Sequence, residues 1–204
     1  MSGLKEVIYY LIGKPYIPSK LLIEKEKKLL HISDTPICFY SKLKRLIEKL
    51  KPDYIVHTGD FTDNIKLELH PDLIQEHEKG IKVLAPMLEA SGAKVILAVG
   101  NHDNIDVVNK YFEKSHIIME AETMNIEGLS FRISHFPEGV QGCPSRYNLF
   151  GHDLTLKNGC IDNKFYFNGI AYMNIIGLES GGCTTLYYPS RIDDARLGRR
   201  KSGL

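Results

Sequence analysis

The sequence predicts an α/β fold, and the order of its apolar runs supports this prediction. Runs at residues 29–33, 54–58 and 95–99 have the length and composition of buried strands, and a polar tip follows each one. Helical patterns at residues 41–50 and 69–90 separate these runs. Alternation of strand and helix in this way implies a mainly parallel sheet with right-handed crossovers.

The first half of the chain also contains shorter segments. The pattern of residues 20–28 is compatible with either a helix or a hairpin strand, because three apolar residues precede five charged ones. Ser41 is the expected N-cap of the helix at residues 41–50, and Pro86 is expected to interrupt the helix at residues 69–90. Two further short helices are predicted at residues 4–11, before a turn at 13–18, and at 105–112.

After residue 112 the strands become shorter and richer in turn signals, which indicates an antiparallel or mixed sheet. Asn168-Gly169 predicts a two-residue hairpin, and residues 125–128 predict another turn. Residues 136–147 are expected to form a loop, either an ordinary surface loop or a cover for a site in which Arg146 would pair with a phosphate oxygen. The predicted strands are 116–119, 124–126, 129–133, 147–150, 165–167 and 170–176.

The composition bounds the class of protein. With 204 residues, 43% of them hydrophobic and 25% charged, the chain is expected to build one main domain at residues 20–190. Residues 1–19 are predicted to be an N-terminal extension and residues 191–204 a basic, solvated tail. A formal net charge of +1 provides no general attraction to nucleic acid or membrane, so a charged substrate must be met by a local site or a metal.

The cellular location is expected to be the cytoplasm. The four cysteines are widely spaced, without a C-x-x-C pair, and are expected to be reduced thiols. The apolar patch at residues 7–12 is far shorter than the about 20 residues that a membrane span needs, and no cleavage site of a signal peptide follows it.

The polar tips carry the candidate chemistry. Carboxylate, amide and imidazole groups follow successive strands, and these ligand types suit Mn, Fe, Zn or Ni. A single histidine or Gly-Asp pair is weak evidence, whereas several of them at one sheet edge predict a metal site. His31 and His57 lie within strands and are expected to be buried structural residues, while His70, His77 and His116 are expected to be solvated. The tips are Asp34, Gly59-Asp60-Phe61-Thr62-Asp63, Gly100-Asn101-His102-Asp103, His135 and Gly151-His152-Asp153.

In order and spacing, these tips resemble the motifs of the calcineurin-like metallophosphoesterases, over about residues 28–180. That family has the blocks D-x-H, G-D-x-x-D, G-N-H-(D/E), a single H, and G-H-x-H. The second and third blocks are complete here, but Pro36 and Leu154 stand where the first and last blocks have a histidine. The resemblance implies a four-layer sandwich of two mixed β-sheets flanked by helices, with the metal site at one end of the sheets.

The resemblance also implies a role for each tip residue. Asp60, Asn101, His135 and His152 would complete one metal site, while the other would keep only Asp34 and the bridging Asp60. Neither Pro36 nor Leu154 can coordinate a metal. The matching proton donor is His102, and the matching carboxylate that orients it is Asp63. Four nearby side chains are candidate substitutes at the weakened site, namely Thr35, Asp103, Asp153 and Glu179.

Two functions follow from this resemblance. The first is metal-dependent hydrolysis of a phosphomonoester or phosphodiester by a metal-bound hydroxide, with His102 as general acid and a small phosphorylated molecule or phosphodiester as substrate. A nucleic-acid substrate has no support in the net charge, and no membrane partner is expected. The second is a degenerate family member that serves as a binding scaffold, as is thought for the retromer subunit with this fold. Pro36 and Leu154 motivate the second function.

Overall fold

The computed structural model describes residues 2–197. Its helices are α1 (Ser2–Leu11), α2 (Ser19–Ile23), α3 (Tyr40–Leu50), α4 (Ile74–Glu89), α5 (Ile105–Tyr111), α6 (Pro137–Gln141) and α7 (Ile192–Arg196). Its strands are β1 (Lys28–Ile32), β2 (Tyr54–His57), β3 (Lys94–Ala98), β4 (His116–Ile118), β5 (Ala121–Ile126), β6 (Leu129–Ser134), β7 (Tyr147–Phe150), β8 (Gly159–Ile161), β9 (Lys164–Asn168), β10 (Met173–Gly177) and β11 (Cys183–Leu186).

The first sheet contains six strands in the order β11-β10-β1-β2-β3-β4. Strands β1 to β4 run parallel to one another, as the alternation of strands and helices predicts, and β10 and β11 join antiparallel at one edge. The register pairs Ile32 with His57 and His57 with Leu97, so the first three strands end level with one another. The polar tips that follow them therefore lie side by side.

The second sheet is mixed and has the order β5-β6-β7-β9-β8, with β6, β7 and β9 parallel. Apolar side chains from both sheets, such as Val56 and Phe131, form one core between them. A second core, which includes Leu43 and Leu84, lies between the other face of the first sheet and the helices. Helix α6 packs against β6 and β7 as a small fourth layer, which confirms the predicted four-layer sandwich.

The hairpin prediction at Asn168-Gly169 is wrong. Strand β9 belongs to the second sheet and β10 to the first, so these two residues connect the sheets. The Asn168 amide donates to the carbonyl oxygens of Asp153 (2.7 Å) and Leu156 (2.9 Å), and Gly169 N–H donates to the carbonyl of Phe150. Long-range pairing of both strands overrides the local turn preference. The turn at residues 125–128 does join two antiparallel strands, β5 and β6.

Other local predictions also change in the structure. Helix α3 begins at Tyr40, directly after a 3-10 turn (Ile37–Phe39), so Ser41 is not its cap. Pro86 lies inside α4 without ending it, because Pro86 and Lys82, the residue four positions earlier, are both exposed and water can reach the carbonyl left without a donor. Strands β8 and β11 and helices α6 and α7 had no counterpart in the predicted elements.

Arg146 does not lie near the polar tips. It precedes β7 and is exposed, with its guanidinium 5.4 Å from the ring centroid of Phe165. His152 follows the opposite end of the same strand. The prediction that Arg146 pairs with a phosphate oxygen at the site is therefore wrong, and helix α6 occupies part of the expected loop.

The histidines outside the tips follow the predictions with one exception. His31 and His57 are fully buried, and His70 and His116 are exposed. His77 was expected to be solvated but is fully buried on α4. Its Nδ1 lies 2.7 Å from the Thr62 hydroxyl, and its Nε2 accepts the Asn104 N–H at 3.3 Å. His77 thus links the loop after β2 to the start of α5.

Residues 191–197 do not form a solvated tail, which corrects that part of the prediction. Arg196, at the end of α7, is only 1% exposed. Its guanidinium donates to the carbonyl oxygens of Asp34 (2.7 Å), Ile170 (2.7 Å) and Ser33 (3.2 Å). The basic residues Arg199, Arg200 and Lys201 lie outside the described residues.

Two further observations concern the cysteines and the lengths of the helices. The four cysteines are free thiols, as expected. Within residues 2–197, none of the helices is both long and apolar enough to cross a lipid bilayer.

We expect Arg196→Met to lower the free energy of unfolding by about 3 kcal/mol, because it leaves buried carbonyl oxygens without a donor. Urea denaturation of the parent and the variant would measure this change. Arg45→Met, at an exposed position of α3, is the matched control and should change the free energy by less than about 0.5 kcal/mol. Equal effects of the two substitutions would contradict the bracing role of Arg196.

Candidate metal centre

Five strand tips meet at one end of the two sheets, and four of their side chains converge on a single point. The Nε2 atom of His135 lies 3.0 Å from Asn101 Oδ1, 3.2 Å from His152 Nδ1 and 3.6 Å from Asp60 Oδ2. Ligand atoms of Asp60, His135 and His152 all lie within 4.8 Å of one another. The structure thus brings together the four residues predicted for one complete metal site.

The hydrogen bonds around His135 show which atoms carry lone pairs. Its Nδ1 lies 2.6 Å from the carbonyl oxygen of Thr58, and a carbonyl oxygen can only accept. Nδ1 therefore carries the hydrogen. Burial lowers the pKa of His135, which favours the neutral ring, so Nε2 presents a lone pair to its neighbours.

The Asn101 amide is oriented by a second partner. Its Nδ2 donates to Glu68 Oε2, which turns Oδ1 toward His135. Asn101 Oδ1, His135 Nε2 and the ionised form of the Asp60 carboxylate are then all acceptors that face one another. Such an arrangement is repulsive unless a cation lies among the lone pairs. The residues therefore fit a divalent metal ion, and the mixture of nitrogen and oxygen ligands suits Mn, Fe, Zn or Ni.

Asp60 lies at the centre of the site. Its Oδ1 accepts the backbone N–H of His102 at 2.9 Å, which leaves Oδ2 directed toward His135. Burial raises the pKa of Asp60, and the neighbouring carboxylates of Asp34, Asp103 and Asp63 raise it further. A bound cation would oppose both effects by stabilising the charged carboxylate.

The backbone at three tips adopts the left-handed conformation. The φ angles are 50° at Asp34, 55° at Asp60 and 66° at His152. This conformation is sterically strained for residues other than glycine, and such strain concentrates at functional sites. At Gly100, between these tips, an added Cβ would collide with the Asp60 carboxylate and lie 2.6 Å from its backbone nitrogen. Only glycine permits this approach.

His102 and Asp63 lie close together but do not form the predicted pair. Asp63 is ion-paired with Lys66, and burial raises its pKa to about 6 although Lys66 opposes the shift. The Nδ1 atom of His102 accepts the backbone N–H of Glu68 at 3.3 Å. Burial, with a smaller effect of Lys66, lowers the pKa of His102 to about 4, so the ring is neutral and carries its hydrogen on Nε2.

A second cluster of possible ligands overlaps the first. Ligand atoms of Asp60, Asp63 and His102 lie within 4.8 Å of one another, and Asp60 belongs to both clusters. The catalytic roles of His102 and Asp63 stay predictions. What the structure adds is that the carboxylate beside His102 Nδ1 is Glu68, at 3.9 Å.

Asp34 occupies the weakened side of the site. Its Oδ2 accepts from the Ser33 hydroxyl and from the backbone N–H of His152 (3.2 Å). Pro36 precedes the 3-10 turn, and Leu154 lines the cleft beside the site.

Of the four candidate substitutes for the missing histidines, three already form other hydrogen bonds and the fourth lies far from the site. Thr35 Oγ1 lies 2.9 Å from His57 Nε2 and donates to the Phe61 carbonyl. Asp153 Oδ1 accepts from Thr155 twice. Asp103 accepts three backbone N–H groups, and Glu179 is exposed in the turn between β10 and β11, at the opposite end of the sheet.

Three residues near the site carry no recognisable sequence signal. Lys66 follows Asp63 by three residues in a non-helical loop, Glu68 precedes a helix, and Arg196 lies in the expected tail. Glu68 and Arg196 act through partners distant in sequence, and Lys66 contacts Asp63 from a left-handed backbone position that lysine rarely adopts.

Comparison with known families agrees with this geometry. The family model for calcineurin-like phosphoesterases matches residues 27–185, most of the chain. The chain belongs to this family. No curated protein matches this calcineurin-like phosphoesterase significantly in sequence.

Solved structures resemble this calcineurin-like phosphoesterase in fold. One is described as a novel archaeal phosphodiesterase (18% identity, 78% of this chain and 99% of that chain covered, TM-score 0.56). Another is Yfce, a phosphoesterase from E. coli (14% identity, 79% and 98% covered, TM-score 0.51). A third is Vacuolar Protein Sorting 29 from Cryptosporidium parvum (15% identity, 79% and 96% covered, TM-score 0.46).

We expect Mn²⁺ to stabilise the protein and His152→Ala to remove most of this effect. At 100 times its dissociation constant, a ligand raises the free energy of unfolding by about 2.7 kcal/mol. His152 is exposed, so its truncation should leave the fold intact. Unfolding curves with EDTA and with Mn²⁺ measure the difference. His116→Ala, at an exposed position of β4, is the control, and equal stabilisation of both variants would rule out His152 as a ligand.

Proposed function

We propose that this protein hydrolyses a phosphomonoester or phosphodiester with a divalent metal ion held by Asp60, Asn101, His135 and His152. The observation that carries the proposal is the cluster of metal-ligating atoms around His135 Nε2, where Asn101 Oδ1 lies at 3.0 Å, His152 Nδ1 at 3.2 Å and Asp60 Oδ2 at 3.6 Å. Family membership supports the same chemistry. A divalent ion at this position would supply a coordinated water of lowered pKa and would polarise a phosphoryl oxygen.

His102 is the residue we propose as the proton donor to the leaving oxygen. It lines the cleft beside Asp60, and as a general acid it would act in the imidazolium form, giving its Nε2 proton to the leaving oxygen while the Glu68 carboxylate, 3.9 Å from Nδ1, stabilises the charged ring. The backbone N–H of His102 holds the Asp60 carboxylate at the same time. One residue thereby sets both the position of a ligand and the position of the acid.

The cleft suits a small phosphorylated substrate. It has a volume of about 480 Å³, and Asp34, Asp60 and His102 line it together with apolar groups, among them Leu154 and Ile170. The net charge of +1 provides no general attraction to a polyanion, which supports a small molecule over nucleic acid. The free thiols support the expected cytoplasmic location.

The main test is hydrolysis of an aryl phosphate and a bis-aryl phosphodiester by the Mn²⁺-loaded protein. We expect His102→Ala to lower kcat by about 10²–10⁴-fold, the usual contribution of a general acid, while Mn²⁺ binding persists because the His102 ring is not among the four ligands. His70→Ala, at an exposed position, is the control and should retain activity.

The result also separates the enzyme from the binding scaffold. Tight metal binding without hydrolysis in the presence of Mn, Fe, Zn or Ni would contradict the proposed activity and favour the scaffold. Hydrolysis that His102→Ala leaves unchanged would contradict the role of His102 and leave the activity standing.

A further inference from the structure

Lys66 lies on the side of the site that Asp34 and Asp63 line, where Pro36 and Leu154 replace the two histidines of the family motifs. Its ammonium contacts Asp63 Oδ1, and its side chain is 30% exposed, so it faces both the buried carboxylate and the cleft. The cleft lining joins Lys66 to Asp34, Asp60 and His102. The backbone of Lys66 is itself left-handed, with φ at 52°.

Carboxylates outnumber cationic side chains on this side of the site. Asp34, Asp60 and Asp63 line it together with the ammonium of Lys66, and Asp103 adds a further buried carboxylate beside Asp60. One divalent ion would offset two of these negative charges, and the Lys66 ammonium offsets a third.

The carboxylate beside Lys66 also retains an unused acceptor. Asp63 is fully buried, and its Oδ2 has no hydrogen-bond partner among residues 2–197. An unsatisfied buried oxygen is costly, so this acceptor is available to a water, an ion or a ligand. It lies on the same carboxyl group that holds the ammonium.

Arg196, the other cationic side chain that lines the cleft, already has hydrogen-bond partners. Arg196 directs its guanidinium to the carbonyl oxygens of Ser33, Asp34 and Ile170. An ammonium has three hydrogens, of which the Asp63 carboxylate uses one, so Lys66 keeps donors for a ligand. Among the described residues that line the cleft, Lys66 is the lysine or arginine able to contact an anion there.

We propose that the Lys66 ammonium takes the place of a second metal ion, holding the Asp63 carboxylate and binding a phosphoryl oxygen of the substrate. This inference rests on the proposed function and concerns the same site. It explains how the site tolerates Pro36 and Leu154, since an ammonium needs no imidazole ligands. The protein would then work with one metal ion and one lysine.

The test measures metal content and phosphate binding rather than turnover alone. Calorimetric titration of the parent with Mn²⁺ should give one ion per chain. Inorganic phosphate, titrated into the Mn²⁺-loaded protein, should bind at least about tenfold more weakly to Lys66→Gln, which loses a charge-assisted hydrogen bond. Lys66→Arg keeps the charge and should stay within about threefold of the parent.

A matched control is Lys110→Gln. Lys110 also pairs with a carboxylate, Glu78 at 2.6 Å, but lies away from the cleft, so its loss should leave phosphate affinity unchanged. If Lys66→Gln fails to fold, the double variant Asp63→Asn with Lys66→Gln removes both charges together. It should fold, bind Mn²⁺ and show the same weakened phosphate binding.

The outcomes distinguish this inference from the proposed function. Two Mn²⁺ ions per chain in the parent, or unchanged phosphate affinity in Lys66→Gln and in the double variant, would overturn the role of Lys66 and leave the metal-dependent activity intact. A parent that binds neither Mn²⁺ nor phosphate would overturn both.

Discussion

The carboxylate of Asp103 is the group on which the site depends. It accepts the backbone N–H groups of Asp60 (2.7 Å), Phe61 (2.8 Å) and Gly100 (2.8 Å), which ties the tip of β2 to the tip of β3. Asp60 in turn accepts the backbone N–H of His102, which connects the same two tips a second time. Burial raises the pKa of Asp103 to about 7, and its three backbone N–H donors oppose this shift by stabilising the charged carboxylate. This double link holds the two ligand-bearing loops together.

Groups behind the site brace the remaining tips. Arg196 holds the backbone at Asp34, and the Thr58 carbonyl orients the His135 ring. His77 joins the loop after β2 to the start of α5. None of these contacts uses the lone pairs that face the site. The left-handed backbone at the tips costs on the order of 1 kcal/mol per residue, and these braces offset that cost.

The hydrophobic pattern of the sequence predicted those elements whose formation depends on neighbouring residues. The three parallel strands and their polar ends follow from continuous apolar runs, and the convergence of Asp60 and Asn101 follows from the parallel arrangement, whereas His135 reaches them from the second sheet. Local pattern failed where a distant partner competes with a local preference. Asn168-Gly169 has the composition of a hairpin turn but connects two sheets, because β9 and β10 pair with different strands.

By itself, the sequence determined which residue types stand at the strand ends and in what order. Neighbouring residues decide whether a segment forms a buried strand or a turn. Only the tertiary structure decided the partners of those residues. Arg196 reaches the backbone of Asp34 across 162 positions, and Asp63 pairs with Lys66 rather than with His102. The contact of Arg196 depends on how α7 packs against the tips, and the contact of Lys66 depends on the conformation of the loop after β2. The strand tip at residues 100–103 could be predicted from the sequence, but the ion pair of Lys66 with the neighbouring Asp63 could not.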